Sequence, residues 1–428
     1  MERNWKGTTG GGKFGQTVLI WIFKTVRPDF LYPLLYLIIP FYMLFAHKGY
    51  IVTYQYFRQI HGYGTFKAFF STYLNHVVFG KVVLDKFALL AGRNFPVEFA
   101  NNYNPVDIDK AAVIAGAHIG NFELCGHCVN HCGKKIYSLV YGGESMVLQQ
   151  KRTQAISNFG VELISVQPDM SHIFTLSNAL SEGNFAAMAC DRAFGSSKCF
   201  SMQFCGRLAE FPMGPFALAA KTECNIYTIN IIKGKRLGYK LYIEQLDTAS
   251  NEYSDKKSIR SKAEYICSQY VRSLEKIVMQ YPLQWFNYYQ FWKPVPAQDL
   301  LPQKDPMVMI DNLISCDSQT AVALFTVNDG NIFCNNDTFA SAGLLEVFAQ
   351  TAAARIGWLN RDNIKIGTIG GVSRLDISKN KIKIGQKIIS TITVLSEMDQ
   401  ALVLDGTITD TKGTVIATCS SLKVFING

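Results

Sequence analysis

Two residues that could transfer a proton, His118 and Glu123, lie five positions apart in the segment His-Ile-Gly-Asn-Phe-Glu. A histidine whose imidazole is held by a carboxylate can take a proton from a hydroxyl or an amine. Asn121 lies between them and could hold the turn or donate a hydrogen bond to a substrate. The spacing predicts that His118 is a general base, and that Glu123 orients it and stabilises its charged form.

The elements on either side of this pair would bring it to a cleft. The apolar run 111–117 predicts a buried strand, and 122–132 predicts a helix. His118 then lies at the end of a strand and Glu123 at the start of a helix. One loop can turn both side chains to the same side.

A second polar pair, Asp191 and Arg192, also follows an apolar stretch. An arginine near a membrane cleft could bind a phosphate, a phosphopantetheine arm or an oxyanion. The alternative for these two residues is a simple surface ion pair. We expect both to contribute to substrate binding.

The order of these segments resembles that of a known group of enzymes. His118, four intervening residues and Glu123 match the hallmark of the acyltransferases that add late acyl chains to lipid A, within the lysophospholipid acyltransferase superfamily. Asp191, Phe204-Cys205-Gly206 and Pro212-Met213-Gly214 match later blocks of that family in order. The resemblance covers residues 10–293. It implies an α/β domain with a mixed sheet, flanking helices and an N-terminal membrane anchor.

The chain departs from this family after the next strand. Many relatives have a Tyr-Arg pair where this chain has Tyr141-Gly142. Arg152 could correspond to a separate arginine of the family, and we include it among the substrate-binding residues. The departure indicates an acceptor other than a lipid A precursor.

Composition favours a membrane surface over nucleic acid as the partner. The 428 residues carry a net charge of +9, and 48% are hydrophobic and 13% aromatic. A basic, aromatic-rich chain could bind either an anionic lipid surface or nucleic acid. Because the basic residues are spread along the chain without a long run, we expect membrane lipids as a partner and no nucleic acid.

An uncharged segment, 30–46, predicts contact with the membrane. It is at the short end for a spanning helix and is interrupted by Pro33 and Pro40. It could span once with kinks or lie in the interface as a re-entrant or monotopic anchor. We favour the interfacial anchor, and we assign residues 1–50 to the anchoring region and 51–293 to the acyltransferase domain.

The eleven cysteines show no disulfide framework, which favours a reducing compartment. Cys125, Cys128 and Cys132 would share one helix face, whereas His127 and His131 would point elsewhere. Because no second cysteine pair completes a tetrahedral zinc site, we expect buried thiols and no metal.

A second domain, 297–428, is predicted after the linker 293–296. Residues 339–358 predict a helix, and 385–395, 401–409 and 414–426 predict antiparallel strands with a turn at 410–413. One long helix wrapped by an antiparallel sheet is the hotdog arrangement, an α+β fold.

This second domain resembles the 3-hydroxyacyl-acyl carrier protein dehydratases, most closely the hotdog proteins of aryl polyene and flexirubin-type pigment clusters. Residues 301–311 resemble the opening of that family and 343–353 its helix, on which Glu346 matches the acid. Gln303 replaces the usual histidine and cannot act as a general base. Glu346 could activate water with Gln350 nearby, the domain could hold an acyl chain without chemistry, or another residue could restore dehydration.

The residues and both resemblances predict an acyltransferase at the cytoplasmic face of the inner membrane. The donor would be acyl-acyl carrier protein or acyl-CoA, and the acceptor a hydroxyl or amine of a lipid or lipophilic compound, with no further cofactor. We expect acyl carrier protein as a partner and a homodimer through the hotdog domain. Two alternatives remain: a dominant hotdog thioesterase or dehydratase activity, or a non-catalytic acyl-carrier-binding scaffold.

Overall fold

The computed structural model divides into two compact units, Met1–Phe200 with Glu210–Gln290, and Ser201–Ala209 with Phe291–Gly428. The residues that the structure describes are 12–45, 47–100, 108, 110–126, 133–140, 160–167, 169–193, 198–248, 258–335, 337–359, 366–378, 381–398 and 401–427.

The first unit is built on a seven-stranded sheet with the order β1-β9-β8-β2-β5-β3-β4. Its strands are β1 (Val97–Phe99), β2 (Ala112–Gly116), β3 (Ile136–Val140), β4 (Val161–Ser165), β5 (Phe185–Ala189), β8 (Asn225–Lys233) and β9 (Tyr239–Gln245). Between β5 and β8 in the chain, β6 (Cys199–Phe204) and β7 (Arg207–Pro212) form a separate two-stranded sheet, of which Ser201–Ala209 belongs to the second unit. The pairs β2–β8, β2–β5, β5–β3 and β3–β4 are parallel, whereas β8–β9 is antiparallel.

Helices cover both faces of this sheet. The helices are α1 (Gly12–Thr25), α2 (Tyr32–Phe45), α3 (His47–Gln59), α4 (Thr65–Leu90), α5 (Ser171–Ser181), α6 (Gly214–Thr222) and α7 (Ile259–Gln280). Successive residues of β8 point to opposite faces. Ile229 belongs to a buried cluster with Phe23 of α1 and Phe87 of α4, whereas Thr228 contacts Ser273 of α7 through the two hydroxyls, 3.2 Å apart.

The register between β2 and β5 positions the candidate site. Gly116 and Ala189 are paired at the carboxyl ends of these parallel strands. His118 and Asp191 each lie two residues beyond that pair, so both leave the sheet at the same edge. The carboxyl edge of a parallel sheet is where α/β folds commonly bind ligands.

The N-terminal segment is helical, and the predicted anchor is not confirmed. Residues 28–31 form a 3₁₀ turn before α2, which contains Pro40. Among the described residues, no single helix is both long and apolar enough to cross a membrane. The segments Pro28–Leu44 and Gly49–Gln59 meet that criterion only as a pair, with a bend of 102° between them.

The second unit is a long helix packed against an antiparallel sheet. The main sheet has the order β10-β11-β12-β18-β19-β20-β15, with β16 also paired to β20, and β13, β14 and β17 form a separate small sheet. The elements are β10 (Val295–Pro296), β11 (Asn312–Cys316), β12 (Thr320–Thr326), β13 (Cys334–Asn335), β14 (Thr338–Phe339), α8 (Ala342–Leu359), β15 (Ile366–Gly371), β16 (Arg374–Ile377), β17 (Ile382–Lys383), β18 (Lys387–Met398), β19 (Ala401–Asp410) and β20 (Val415–Asn427).

Helix α8 is buried by the sheet along most of its length, which confirms the predicted hotdog-like arrangement. Val347, Phe348 and Ala352 belong to the core cluster of this unit. Gly357 allows the helix to approach the chain before β11, because a Cβ at this position would lie 2.3 Å from the carbonyl oxygen of Leu300. The mixed α/β fold of the first unit is likewise confirmed.

Two predicted boundaries differ from the structure. The segment 293–296 was expected to be a linker, but Val295–Pro296 pairs with Leu313 and Asn312 of β11 as an edge strand. Phe339, the expected first residue of the long helix, lies in β14, and the helix begins at Ala342. In both places backbone pairing with a distant strand overrides the local pattern.

Candidate active site

His118 and Asp191 form a hydrogen-bonded pair at the carboxyl edge of the sheet. The imidazole Nδ1 of His118 lies 2.7 Å from Oδ1 of Asp191. A carboxylate only accepts hydrogen bonds, so this contact places the proton on Nδ1 and leaves Nε2 able to accept one. The His118 side chain is 24% exposed and the Asp191 side chain 1%, so the base faces solvent while its partner is buried.

The Asp191 carboxylate is held by further donors. Its Oδ2 accepts from the backbone N–H of His118 at 2.8 Å and from Nε1 of Trp285 at 3.1 Å. Burial alone would raise the pKa of Asp191, but His118, by charge and hydrogen bonding, and Arg192, by charge, lower it to about 2. The group therefore stays ionised and can stabilise an imidazolium on His118.

Glu123 lies elsewhere than expected. It forms an ion pair with Lys86 of α4, with Oε1 2.8 Å from Nζ, and its side chain is 9% exposed. The 3₁₀ turn Phe122–Leu124 follows Asn121 directly, and Glu123 is in its middle. The orienting position on Nδ1 that we assigned to Glu123 is occupied by Asp191, which parallel strand pairing brings there.

The loop between His118 and Glu123 is fixed by backbone contacts. Gly120 has a φ of +58°, and a Cβ there would lie 2.0 Å from the carbonyl oxygen of Ile231. The N–H of Gly120 donates to the carbonyl of Gln284 at 2.9 Å, and that of Asn121 to Ile231 at 2.8 Å. The side chain of Asn121 is buried and donates through Nδ2 to the hydroxyl of Tyr239 at 3.2 Å. Of its two expected uses, this contact favours holding the turn.

Arg192 follows Asp191 directly in the chain, but among the described contacts no ion pair joins the two side chains. Its Nη2 donates to the carbonyl of Phe286 at 3.1 Å, and its guanidinium lies 5.8 Å from the ring centre of Tyr289. Its buried Nε has no hydrogen-bond partner within the described part of the chain. Arg152 and Tyr141 lie outside the described residues.

In the second unit, Gln303 and Glu346 line the same pocket of about 290 Å³. Burial raises the pKa of Glu346, opposed by a hydrogen bond from Nε2 of Gln350 at 2.9 Å. The buried Oε1 of Gln303 has no hydrogen-bond partner among the described residues. The pocket thus offers a carboxyl group and one unused acceptor.

Gln350 is a structural residue of this pocket. It is fully buried, its Oε1 accepts from the N–H of Met309 at 2.7 Å, and its Nε2 donates to the carbonyl of Met307 at 2.6 Å. Because these contacts occupy both ends of the amide, Gln350 holds the opening segment of the unit against Glu346 and is not available to a substrate.

Metal binding has no support among the described residues, which contain no group of three or more His, Cys, Asp or Glu side chains placed to hold an ion. Burial raises the pKa of Cys125 to about 12, so it is a neutral thiol at ordinary pH. Cys128, Cys132, His127 and His131 lie outside the described residues.

Two residues of this site, Lys86 and Trp285, were not predicted from the sequence. Lys86 follows Asp85 within an otherwise apolar helical stretch, and a charge pair in such a stretch is a signal for buried partners. Trp285 begins the aromatic-rich segment 285–292. Its indole N–H is used by Asp191, and no local pattern indicates that contact.

Two family models match the chain in series. Residues 106–294 match the bacterial lipid A biosynthesis acyltransferases, and residues 295–427 match the ApeP dehydratases. No curated protein matches the chain. Both families agree with the resemblances derived from the sequence.

Three solved structures with detectable likeness are distant from this chain. The dehydratase heterocomplex ApeI:P from Xenorhabdus doucetiae is 21% identical with a TM-score of 0.30, over 32% of this chain and 93% of that one. The E. coli PaaI protein from the phenylacetic acid degradation operon is 18% identical with a TM-score of 0.23, over 27% and 78%. A hypothetical thioesterase with coenzyme A from Streptococcus pneumoniae TIGR4 is 13% identical with a TM-score of 0.23, over 27% and 84%.

At TM-scores this low we base no conclusion on these three likenesses, and the two family matches stand by themselves. The chain carries a lipid A acyltransferase-like domain over residues 106–294, followed by an ApeP dehydratase-like domain over residues 295–427.

Proposed function

We propose that this chain is a membrane-associated acyltransferase that uses acyl-acyl carrier protein or acyl-CoA. Nε2 of His118 takes the proton from a hydroxyl or amine of a lipid or lipophilic acceptor as that group attacks the thioester carbonyl. The new ester or amide bond forms and the C–S bond breaks, and His118 then gives the proton to the leaving thiolate, which departs as a thiol and leaves the imidazole as it began. Asp191 stabilises the imidazolium between these steps.

The observation that carries this proposal is the 2.7 Å contact between His118 Nδ1 and Asp191 Oδ1, with the imidazole partly exposed. This geometry supplies an oriented imidazole whose Nε2 can accept a proton. The match of residues 106–294 to an acyltransferase family supports the reaction class.

Arg192, Arg152 and Glu123 complete the proposed site. The unused Nε of Arg192 is suited to an oxyanion or a phosphopantetheine phosphate. Glu123 with Lys86 fixes the far side of the loop. We keep Arg152 as a substrate-binding residue on the family resemblance alone.

A lipid surface is the proposed location, at the cytoplasmic face of the inner membrane. Large apolar side chains are exposed on the 3₁₀ turn before α2, on α2 and on the N-terminal half of α4; among them are Phe30, Leu37, Phe41, Leu44, Phe66 and Phe70. Tyr36 of α2 and Tyr73 of α4 are in ring contact, with centroids 6.4 Å apart, so the two exposed faces adjoin. Nζ of Lys81 donates to the hydroxyl of Tyr36 at 3.1 Å, so a lysine borders this face. An apolar face bordered by lysine is typical of helices that lie in a membrane interface.

The test uses the full chain, a radiolabelled long-chain acyl-CoA and vesicles of total bacterial lipid. Transfer of label to lipid is expected for the unaltered protein and for His172→Gln, a change at another histidine of the same unit. His118→Ala should lower the rate about 10²- to 10⁴-fold. Equal rates for His118→Ala and the unaltered protein would refute the assignment.

A second candidate function belongs to the hotdog-like domain. Glu346 and Gln303 share a pocket, but glutamine supplies no base, so we infer either thioester hydrolysis through water on Glu346 or acyl binding without chemistry. Glu346→Gln should abolish any thiol release from acyl-CoA that survives in His118→Ala. A homodimer through this domain and acyl carrier protein as a partner belong to the same proposal.

A further inference from the structure

A buried ion pair that the proposed chemistry does not use lies behind the His118 loop. Nζ of Lys233 at the end of β8 is 2.8 Å from Oδ2 of Asp85 in α4. Their side chains are 4% and 0% exposed. Burial lowers the pKa of Lys233 and raises that of Asp85, while their mutual attraction acts against both shifts. A pair this deep persists only when further hydrogen bonds satisfy it.

Two tyrosines supply those hydrogen bonds. The hydroxyl of Tyr32 donates to Oδ1 of Asp85, and that of Tyr239 donates to Oδ2. The ammonium of Lys233 also lies 5.1 Å and 4.5 Å from the ring centres of these tyrosines and donates to the carbonyl of Arg236 at 2.7 Å. Because every member has a partner, the cluster is rigid.

The cluster reaches the His118 loop by two routes. Tyr239 accepts from Nδ2 of Asn121 at 3.2 Å. The backbone of Lys233 exchanges two hydrogen bonds with the side chain of Gln284, both 2.8 Å, and the carbonyl of Gln284 accepts from the N–H of Gly120. Both routes end within three residues of His118.

We propose that Asp85, Lys233 and Tyr239 are positioning residues that hold the His118 loop in its catalytic geometry. The proposal rests on the acyl-transfer function. Tyr32, the first residue of α2, belongs to the same cluster, so the helix with the exposed apolar face also contributes to the geometry of the site. The N-terminal helices then have a role in catalysis beyond lipid attachment.

The test is Tyr239→Phe, which keeps the ring and removes only the hydroxyl, with Tyr32→Phe as a second variant. Tyr265→Phe is the matched control, because the hydroxyl of Tyr265 on α7 also donates to a carboxylate, that of Asp247 at 2.7 Å, outside the cluster. Amide hydrogen exchange of residues 118–124, and kcat and KM for transfer from palmitoyl-CoA to total-lipid vesicles, are measured for each.

Tyr239→Phe should speed exchange of the Gly120 and Asn121 amides roughly three- to tenfold, as expected for loss of the one hydrogen bond that joins this hydroxyl to the loop. Exchange in β2 and β5 should stay unchanged, and kcat should fall while KM is retained. Tyr32→Phe should act in the same direction, and Tyr265→Phe should change neither the loop exchange nor kcat. Unaltered loop exchange, or faster exchange throughout the sheet, would overturn the positioning role. If Tyr239→Phe speeds exchange only in the loop but the unaltered protein shows no acyl transfer, the contact between Tyr239 and the loop is supported and the proposed function is refuted.

Discussion

Nε1 of Trp285 and the backbone N–H of His118 donate to the same oxygen of Asp191, at 3.1 and 2.8 Å. The other oxygen accepts from Nδ1 of His118. Three donors therefore fix this carboxylate, so its orientation does not depend on the imidazole alone. Replacing its charge while keeping its shape is the most direct probe of the site.

Asp191→Asn should lower kcat about 10²- to 10⁴-fold, because the amide no longer stabilises an imidazolium and can favour the wrong tautomer of His118. The measurement is the initial rate of label transfer to lipid vesicles. Asp376→Asn, a change of an exposed aspartate in the second unit, is the control and should keep full activity. A fully active Asp191→Asn would exclude the His118–Asp191 pair as the base.

Glu123→Gln should reduce activity less than Asp191→Asn, because Glu123 contacts Lys86 and Asp191 occupies Nδ1 of His118. The change removes a partly buried charge opposite Lys86, so the free energy of unfolding should fall by about 1–2 kcal/mol. Urea unfolding and the lipid-transfer rate are compared for both variants. If Glu123→Gln proves as inactive as Asp191→Asn, Glu123 takes part in the chemistry directly.

The low pKa of Asp191 makes stability depend on pH in a known direction. Its folded pKa is about 2 against an ordinary value of 3.8, so its contribution is complete above pH 4 and is lost as pH falls toward 2. The loss amounts to about 2 kcal/mol. Urea midpoints between pH 2 and 5 should fall less steeply for Asp191→Asn than for the unaltered protein, and parallel curves would contradict this.

The pH dependence of stability that Glu346 contributes has the opposite sign to that of Asp191. Burial raises its pKa above the ordinary 4.5, so the stability linked to its protonated form is present below pH 4.5 and is lost as pH rises through the folded pKa. Glu346→Gln keeps an acceptor for Gln350 without a charge, so it should remove this pH dependence and be more stable than the unaltered protein at pH 7. A less stable variant at pH 7 would show that the buried charge is compensated.

Gly120→Ala should displace the catalytic loop. Both the positive φ and the carbonyl of Ile231 oppose a Cβ there. Gly133→Ala is the matched control, because Gly133 has a φ of +65° and a Cβ at this position would meet nothing within 4 Å. The control should lose about 1 kcal/mol of stability, and Gly120→Ala more than about 2 kcal/mol together with most of its activity. Equal losses in the two variants would mean that the loop accommodates the methyl group.

The sequence predicted those strands and helices whose pattern is contained in neighbouring residues. The apolar run of β2 and the strands 387–398, 401–410 and 415–427 are examples, because burial leaves an apolar pattern within the segment itself. The acyltransferase and dehydratase resemblances were likewise readable from ordered motifs. The partner of His118 was not, since Asp191 is 73 residues away and only strand pairing brings it near, whereas Glu123 is a neighbour in sequence.

His118 and Asp191 are each two residues beyond the Gly116–Ala189 pair, and this equal spacing determines that their side chains meet. A one-residue insertion or deletion in β2 or β5 would move one member of the pair by about 3.3 Å and turn its side chain to the other side. Length changes in the connections after Glu123 or before β5 do not alter the number of residues between the paired strand ends and the two site residues. Descendants of this chain can therefore vary their loops freely, but the two strand ends can change length only together.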